Sequence, residues 1–328
     1  MRQVRPKKNL GQHFLVDLSI AKRIADTVDA CPDIPVLEVG PGMGVMTQFL
    51  ITKPRELKVV EIDRESVAFL KEESRRWRVE GEGLKVEGEG LKVEGGGLRV
   101  KGEGLKVEGG GLKVEGGGLK VEGGGLKVEG GGLKVEDIIS ADFLRMDLNT
   151  VFDGRPFVLT GNYPYDISSQ IFFKMLDNKD LIPCCTGMIQ HEVALRMASQ
   201  PGTKAYGILS VLMQAWYDVE YLFTVEPSVF NPPPKVQSAV IRLTRNAVTD
   251  LGCDEQLFRR VVKAVFNQRR KMLRVSLRQL LPPTSAMLSP TSADPLFTRR
   301  PEQLSISDFV SLTNRVAEEL DNSTNHDH

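Results

Sequence analysis

Pro35-Val36-Leu37-Glu38-Val39-Gly40-Pro41-Gly42-Met43-Gly44 is the stretch that decides the fold. Its first five residues read as a short buried strand, and glycines then interrupt it before an apolar helical stretch from Val45 to Ile51. Strand, glycine turn and helix open an α/β unit. Glycine lacks a Cβ, so the backbone can approach a ligand closely at the carboxyl end of the first strand. A second strand, Leu57-Lys58-Val59-Val60-Glu61-Ile62-Asp63, places Glu61 21 positions after Gly40. A carboxylate at that tip can accept hydrogen bonds from both hydroxyls of a ribose. A dinucleotide enzyme fits this spacing nearly as well as a methyltransferase. However, the third glycine stands one place early for the GxGxxG turn, which favours a nucleoside without a pyrophosphate.

Between this half and the rest lie eight near-identical heptads over residues 81–136, with leucine at 84, 91, 98, 105, 112, 119, 126 and 133. The seven-residue period is not a coiled coil. Each glycine costs a helix about 1 kcal/mol relative to alanine. Leu and Val also stand two apart, a strand spacing. Each Leu-Lys-Val-Glu is a strand fragment between turn-forming glycines, and both short hairpins and an irregular surface loop fit it. The last copy, Leu133-Lys134-Val135-Glu136, runs directly into Asp137-Ile138-Ile139-Ser140-Ala141-Asp142, as though the repeat had multiplied the start of a genuine strand. The array is expected to be an inert expansion in a surface loop. Asp142, just beyond that strand, is placed to accept from an adenine amine, and as a lone Asp it equally suits a turn or helix cap.

Pro156-Phe157-Val158-Leu159-Thr160 is a further buried strand, and it delivers Gly161-Asn162-Tyr163-Pro164-Tyr165 to the sheet edge where open α/β sheets bind ligands. The N6 amine of adenine is a poor nucleophile because its lone pair is delocalised into the ring. The Asn162 side-chain oxygen and the Pro164 carbonyl can each accept one of its hydrogens, favouring the tetrahedral geometry needed to attack a sulfonium methyl. No general base of low pKa is required. Tyr165 offers a flat face for an extruded adenine.

The bulk numbers agree with an ordinary globular protein of one large and one smaller domain: 328 residues, 26% of them charged, with 43 basic and 43 acidic side chains. The four cysteines and four histidines form no metal-ligand spacing, so no metal is expected. No apolar run approaches the ~18 residues that cross a bilayer. Met1-Arg2-Gln3-Val4-Arg5-Pro6 has no apolar h-region, so neither a signal peptide nor a membrane partner is expected, and the cytoplasm is the expected location.

Outside the repeat the chain resembles the ribosomal RNA adenine dimethylases, the family of the bacterial kasugamycin-resistance methyltransferase, with the macrolide-resistance methylases as close relatives. The motifs run in order: Lys8-Asn9-Leu10-Gly11-Gln12-His13-Phe14-Leu15, Glu38 to Gly42, Glu61-Ile62-Asp63, Asp142, and Asn162 to Tyr165. Gln190-His191-Glu192-Val193-Ala194, Phe230 to Val240 and Phe266 to Lys271 complete them. The resemblance implies a Rossmann-like class I S-adenosylmethionine-dependent methyltransferase sheet. It implies cofactor contacts from His13, Leu15, Gly40, Glu61, Asp142 and Asn162, and a target base held by Asn162, Pro164 and Tyr165 with Phe230 closing the other face. Two departures stand out. His13 replaces the usual Asn, and Tyr163 occupies a place that is normally Leu or Ile.

Two local runs are basic although the whole is neutral. Arg2, Arg5, Lys7 and Lys8 form one; Arg259, Arg260, Lys263, Arg269, Arg270, Lys271, Arg274 and Arg278 form the other, with no acid between residues 257 and 278. Leu257, Val261 and Val265 mark an amphipathic helix there. Arg269, Arg270, Lys271 and Arg274 are the expected phosphate contacts. The expected domains are 1–246, a methyltransferase domain interrupted by the repeat, and 247–328, a small helical RNA-binding domain with an acidic tail. The expected activity is dimethylation of N6 on two adjacent adenosines near the 3′ end of small-subunit ribosomal RNA, by a monomer acting on the assembling pre-30S particle. A non-catalytic ribosome-assembly factor and a large-subunit methylase of the macrolide-resistance type are the competing readings.

Overall fold

A computed structural model describes residue 7 and residues 13–81, 120–122, 125–127, 133–289 and 294–324. Its elements begin with β1 (Phe14–Leu15) and α1 (Leu18–Ala25). Asp17 starts the helix by accepting the Ser19 and Ile20 N–H groups at 2.9 and 3.2 Å. Then come β2 (Val36–Val39), α2 (Thr47–Leu50), β3 (Leu57–Glu61) and α3 (Arg64–Gly81). In the repeat, β4 (Lys120–Glu122) pairs antiparallel with β5 (Gly125–Lys127), setting Val121 opposite Leu126. The hairpin alternative therefore holds for these two copies, while most of the array lies outside the described residues. The remaining elements are β6 (Ile138–Ser140), β7 (Val158–Asn162), α4 (Ser168–Asp177), β8 (Cys184–Gln190), α5 (His191–Ala198), α6 (Ile208–Gln214), β9 (Tyr217–Val225), β10 (Phe230–Asn231), β11 (Ser238–Arg245), α7 (Glu255–Asn267), α8 (Leu273–Ser276) and α9 (Ile306–Thr324).

The last repeat copy is not the start of a strand. Val135–Asp137 is a single 3-10 turn, closed by the Lys134 N–H donating to the Asp137 carboxylate at 2.9 Å, and β6 begins only at Ile138. A side-chain acceptor that competes for the backbone ends the extended run. Leu133 is nonetheless 1% exposed, so this copy is part of the core.

Seven strands form one sheet in the order β6-β3-β2-β7-β8-β11-β9. The pairs β6–β3, β3–β2, β2–β7 and β7–β8 are parallel. Their register aligns Val39 with Val60, Glu61 with Ser140, and Glu38 with Thr160. The carboxyl ends of β2, β3, β6 and β7 therefore reach the same edge together, which is where such sheets bind ligands. All four residues of β2 are buried, as are Val158 to Gly161 of β7. Strands buried on both faces read as continuous apolar runs, which is why both were visible in the sequence.

By packing, the chain divides into two compact units. The first comprises residues 1–171, 180–188 and 225–235. Within it β1 and β10 form a two-stranded antiparallel ribbon, Leu15 opposite Phe230. Cys31 and Cys184, 153 positions apart, are joined by a disulfide with their Cα atoms 5.9 Å apart. The second comprises residues 172–179, 189–224 and 236–328. In it α7 starts at Asp254, whose carboxylate accepts the Leu257 N–H at 2.6 Å, and buries Leu257, Val261 and Val265 as its periodicity required. Phe266 stacks on Phe309 with centroids 5.8 Å apart, and the Tyr206 hydroxyl donates to the Leu304 carbonyl at 2.9 Å. Fully burying one such aromatic or aliphatic side chain contributes roughly 1.5–3 kcal/mol. Among the described residues no helix is long and apolar enough to cross a membrane, and no group of His, Cys, Asp or Glu could hold a metal ion.

Candidate active site

A cleft opens at the carboxyl edge of the parallel strands, entirely within the first unit. The glycine turn after β2 forms one wall. Gly40 and Gly42 sit at φ 68° and 56°, a left-handed conformation that disfavours any residue with a Cβ. A Cβ on Gly42 would lie 3.2 Å from the Phe14 ring.

Glu61 at the end of β3 is 4% exposed, and it is fixed by the backbone. Its carboxylate accepts the Gly42 N–H at 3.1 Å and the Asp63 N–H at 2.8 Å. Burial raises its pKa, against these N–H bonds, which favour the charged form. Asp63 behaves oppositely. Burial opposes its ionisation, but Lys7 at 2.5 Å and the Ser66 hydroxyl at 3.0 Å outweigh it and hold the carboxyl below its usual value.

Glu38 also lines the cleft and was not singled out from the sequence. It is 1% exposed and accepts the Thr47 hydroxyl at 2.6 Å. Burial pushes its carboxyl up to about 8, the nearby Glu61 adding to the shift and Thr47 opposing it. Its signal in the sequence was an acidic residue inside an otherwise apolar strand. Phe14 and Ile62 are two further lining residues missed from the sequence, and Ile62 is the more open of them at 52% exposure.

Of the expected cofactor contacts, His13, Leu15, Gly40, Glu61, Asp142 and Asn162 all line the cleft. His13 is committed on one side: Nδ1 donates to the Pro232 carbonyl at 2.8 Å, because that oxygen can only accept. Its ring lies 5.6 Å from that of Tyr165, tilted by 32°. Asp142 makes the turn that a lone Asp suits, and it stands at the cleft. Its carboxylate accepts the Leu144 N–H at 2.9 Å, with Arg145 at 3.3 Å.

Asn162 closes β7 and is held by Nδ2 donating to the His13 carbonyl at 3.4 Å. That leaves Oδ1 to accept from a ligand. Pro164 and Tyr165 are half-buried on the same rim. The Pro164 carbonyl accepts the Ile167 N–H at 3.3 Å, and a carbonyl oxygen has a second lone pair. Phe230 is not brought to this rim. It is 4% exposed, paired with Leu15 in the ribbon, and does not line the cleft.

The second basic run is not free of acids, because partners arrive from distant segments. Arg259 pairs with Asp177, and Arg269 donates to Glu302 at 2.8 Å and to the Thr203 carbonyl at 3.2 Å. Arg270, Lys271 and Arg274 make no ion pair among the described residues; the first two are exposed and Arg274 is half-buried. The first basic run, apart from Lys7, lies outside the described residues, as do Lys8 to Gln12.

The family model for ribosomal RNA adenine dimethylase matches residues 3–89 and 130–317. The ribosomal RNA small subunit methyltransferase A of Phocaeicola vulgatus is 54% identical over 324 residues, spanning 99% of this chain and 94% of that protein. Its namesake from Bacteroides thetaiotaomicron is 54% identical over 324 residues, spanning 99% and 98%. Among solved structures, a dimethyladenosine transferase from Plasmodium falciparum shares the fold at a TM-score of 0.64 and 20% identity, over 94% of this chain and 98% of its own. The sheet is accordingly the Rossmann-like sheet expected for a class I methyltransferase. Matched by the family model on both sides of its repeat and at this identity to its relatives, the chain belongs to the ribosomal RNA adenine dimethylase family.

Proposed function

We propose that this chain transfers methyl groups from S-adenosylmethionine to N6 of two adjacent adenosines near the 3′ end of small-subunit ribosomal RNA, twice at each. The observation that carries this reading is Asn162: its Nδ2 is engaged by the His13 carbonyl, so Oδ1 faces the task of accepting an amine hydrogen. Family membership and the small-subunit names of the relatives support the substrate class.

The residues present fit the cofactor. A positive-φ glycine turn, tight against Phe14 at Gly42, gives close backbone approach, and the buried Glu61 suits a ribose diol. Asp142 would accept from the adenine amine, and His13 and Leu15 would border the amino-acid end. When bound, the group supplies an electrophilic methyl on a sulfonium.

The protein's own contribution is placement. Asn162 Oδ1 and the Pro164 carbonyl accept the two N6 hydrogens of the target base, and Tyr165 stacks on its ring. In this reading residues 1–246 carry the transfer, and the helical residues 247–328 meet the RNA as a monomer, through Arg270, Lys271 and Arg274, with Arg269 anchored beside them. Contact of this kind is chiefly to backbone and shape.

The test is incorporation of labelled methyl into undermethylated small subunits, with Asn162→Ala as control. Wild-type protein is expected to dimethylate adjacent adenosines, and the variant to bind subunits without transferring. Binding without incorporation by the wild type would sink the enzyme reading.

A further inference from the structure

Tyr163, the departure from the aliphatic residue usual at its place, borders the cleft and is packed into the core. It is 1% exposed, beneath the loop that carries Asn162, Pro164 and Tyr165. Two glycines make room for its ring. A Cβ on Gly161 of β7 would stand 3.3 Å from the ring, and one on Gly187 of β8 would stand 2.7 Å from it. Gly187 also crosses so close to β7 that its Cβ would meet the Gly161 carbonyl at 2.3 Å, and it adopts φ 149°. An aromatic ring thus occupies a slot that exists because both flanking strands lack side chains there.

The polar end of the side chain is equally placed. The Tyr163 hydroxyl donates to the Thr186 carbonyl at 3.1 Å and lies 3.2 Å from Cys185 Sγ. Cys185 is fully buried, and burial pushes its thiol up to about 12, so the neighbour is an uncharged thiol. The Tyr163 N–H donates to the Met188 carbonyl at 2.9 Å. One residue therefore grips β8 at two points, backbone to 188 and side chain to 186, from the middle of the loop whose neighbours on either side would carry the target base.

A leucine at this place could make the backbone bond and part of the packing, but no side-chain bond to β8. Buried hydroxyls that are satisfied in this way fix a unique geometry, and misplacement of reacting groups by about 1 Å costs on the order of a hundredfold in rate.

We infer that Tyr163 is a positioning residue for methyl transfer, its ring in the Gly161–Gly187 slot and its hydroxyl on Thr186 setting where Asn162 and Tyr165 stand. The inference rests on the proposed reaction. It acts on the chemical step and the placement of the base, not on cofactor or RNA affinity.

The experiment measures single-turnover transfer at saturating cofactor and RNA for wild type, Tyr163→Phe and Tyr163→Leu. It is read alongside cofactor dissociation constant, melting temperature, and fluorescence of 2-aminopurine substituted at the target position. Tyr163→Leu carries the side chain usual in the family and so keeps the comparison meaningful should Tyr163→Phe fold poorly. Expected are a roughly fivefold slower rate for Phe, a larger loss for Leu, weaker quenching of the stacked 2-aminopurine in both, and an unchanged cofactor constant. Wild-type rates in both variants, or losses confined to KM or melting temperature, overturn the inference. A loss in Leu alone overturns the tie to Thr186. Absence of transfer by the wild type instead refutes the proposed function and takes this inference with it.

Discussion

The Glu61 carboxylate accepts the Gly42 N–H at 3.1 Å, so the tip of β3 and the glycine turn after β2 are one hydrogen-bonded unit. Its other oxygen takes the Asp63 N–H at 2.8 Å. Removing the carboxylate strands two buried donors, at roughly 1–3 kcal/mol each, and under the proposed function it also removes the acceptor for a ribose. Glu61→Ala is therefore expected to weaken cofactor binding by at least about tenfold and to lower the melting temperature. Gly42→Ala, forced into φ 56° against Phe14, should weaken binding with less loss of stability. Calorimetric titration of both variants with S-adenosylmethionine checks this; wild-type affinity in Glu61→Ala would refute the role.

Glu38 makes stability depend on pH in a stated direction. Its folded-state value, about 8, lies above the ordinary carboxyl value of 4.5. The folded protein therefore holds this proton more tightly than the unfolded chain. The contribution is complete below about pH 4.5 and is lost as pH rises through about 8, at up to about 1.4 kcal/mol per unit within that window. Urea unfolding at about pH 6 and about pH 8 should show the wild type losing more stability than Glu38→Gln, in which the titrating group is absent. Equal losses would rule out the protonated carboxyl.

Arg270, Lys271 and Arg274 should behave as phosphate contacts and Arg269 as a structural ion pair. Replacing the first three by Ala is expected to flatten the salt dependence of RNA binding, each charge lowering the log–log slope by roughly 0.7–0.9. Cofactor affinity should not change. Arg269→Ala, losing Glu302 and the Thr203 carbonyl, should instead cost about 1 kcal/mol of stability with a smaller effect on the slope. Filter binding across a salt series separates the two, and an unchanged slope in the triple variant would move the RNA surface elsewhere.

Much of this site was legible because its parts are local. Val36 to Gly44 is strand and turn in direct succession, and Asn162 is the last residue of its own strand. Parallel register then carries Gly40, Glu61, Asp142 and Asn162 to one edge without any further information. What escaped depends on segments distant in the chain. The partners of Arg259 and Arg269 come from 82 and 33 residues away, and the Cys31–Cys184 link spans 153. Phe230 was assigned to the base pocket from its motif; its place opposite Leu15 in the ribbon, at 4% exposure, depends on a pairing between segments more than 200 residues apart. The slot that the Tyr163 ring fills could not be read from its neighbours alone, since Gly187 arrives on another strand.

The array should be dispensable. Residues 90–129 fall between the two stretches that the family model matches, and the last copy already supplies the buried Leu133. A chain deleted for residues 81–129 is expected to transfer methyl at close to the full rate and to melt within a few degrees of the intact protein. A large loss in the transfer assay would refute this.

The array's position between α3 and β6 has a genetic consequence. Doubling a connection adds only about 0.6 kcal/mol of closure entropy. The usual unit brings one lysine and one glutamate, so it leaves the overall charge unaltered. Each unit is also a whole number of codons, and gain or loss of copies by replication slippage preserves the reading frame. Copy number can therefore change without shifting the reading frame or the net charge, and the transfer rate of the chain deleted for residues 81–129 measures how far such a change reaches the encoded catalyst.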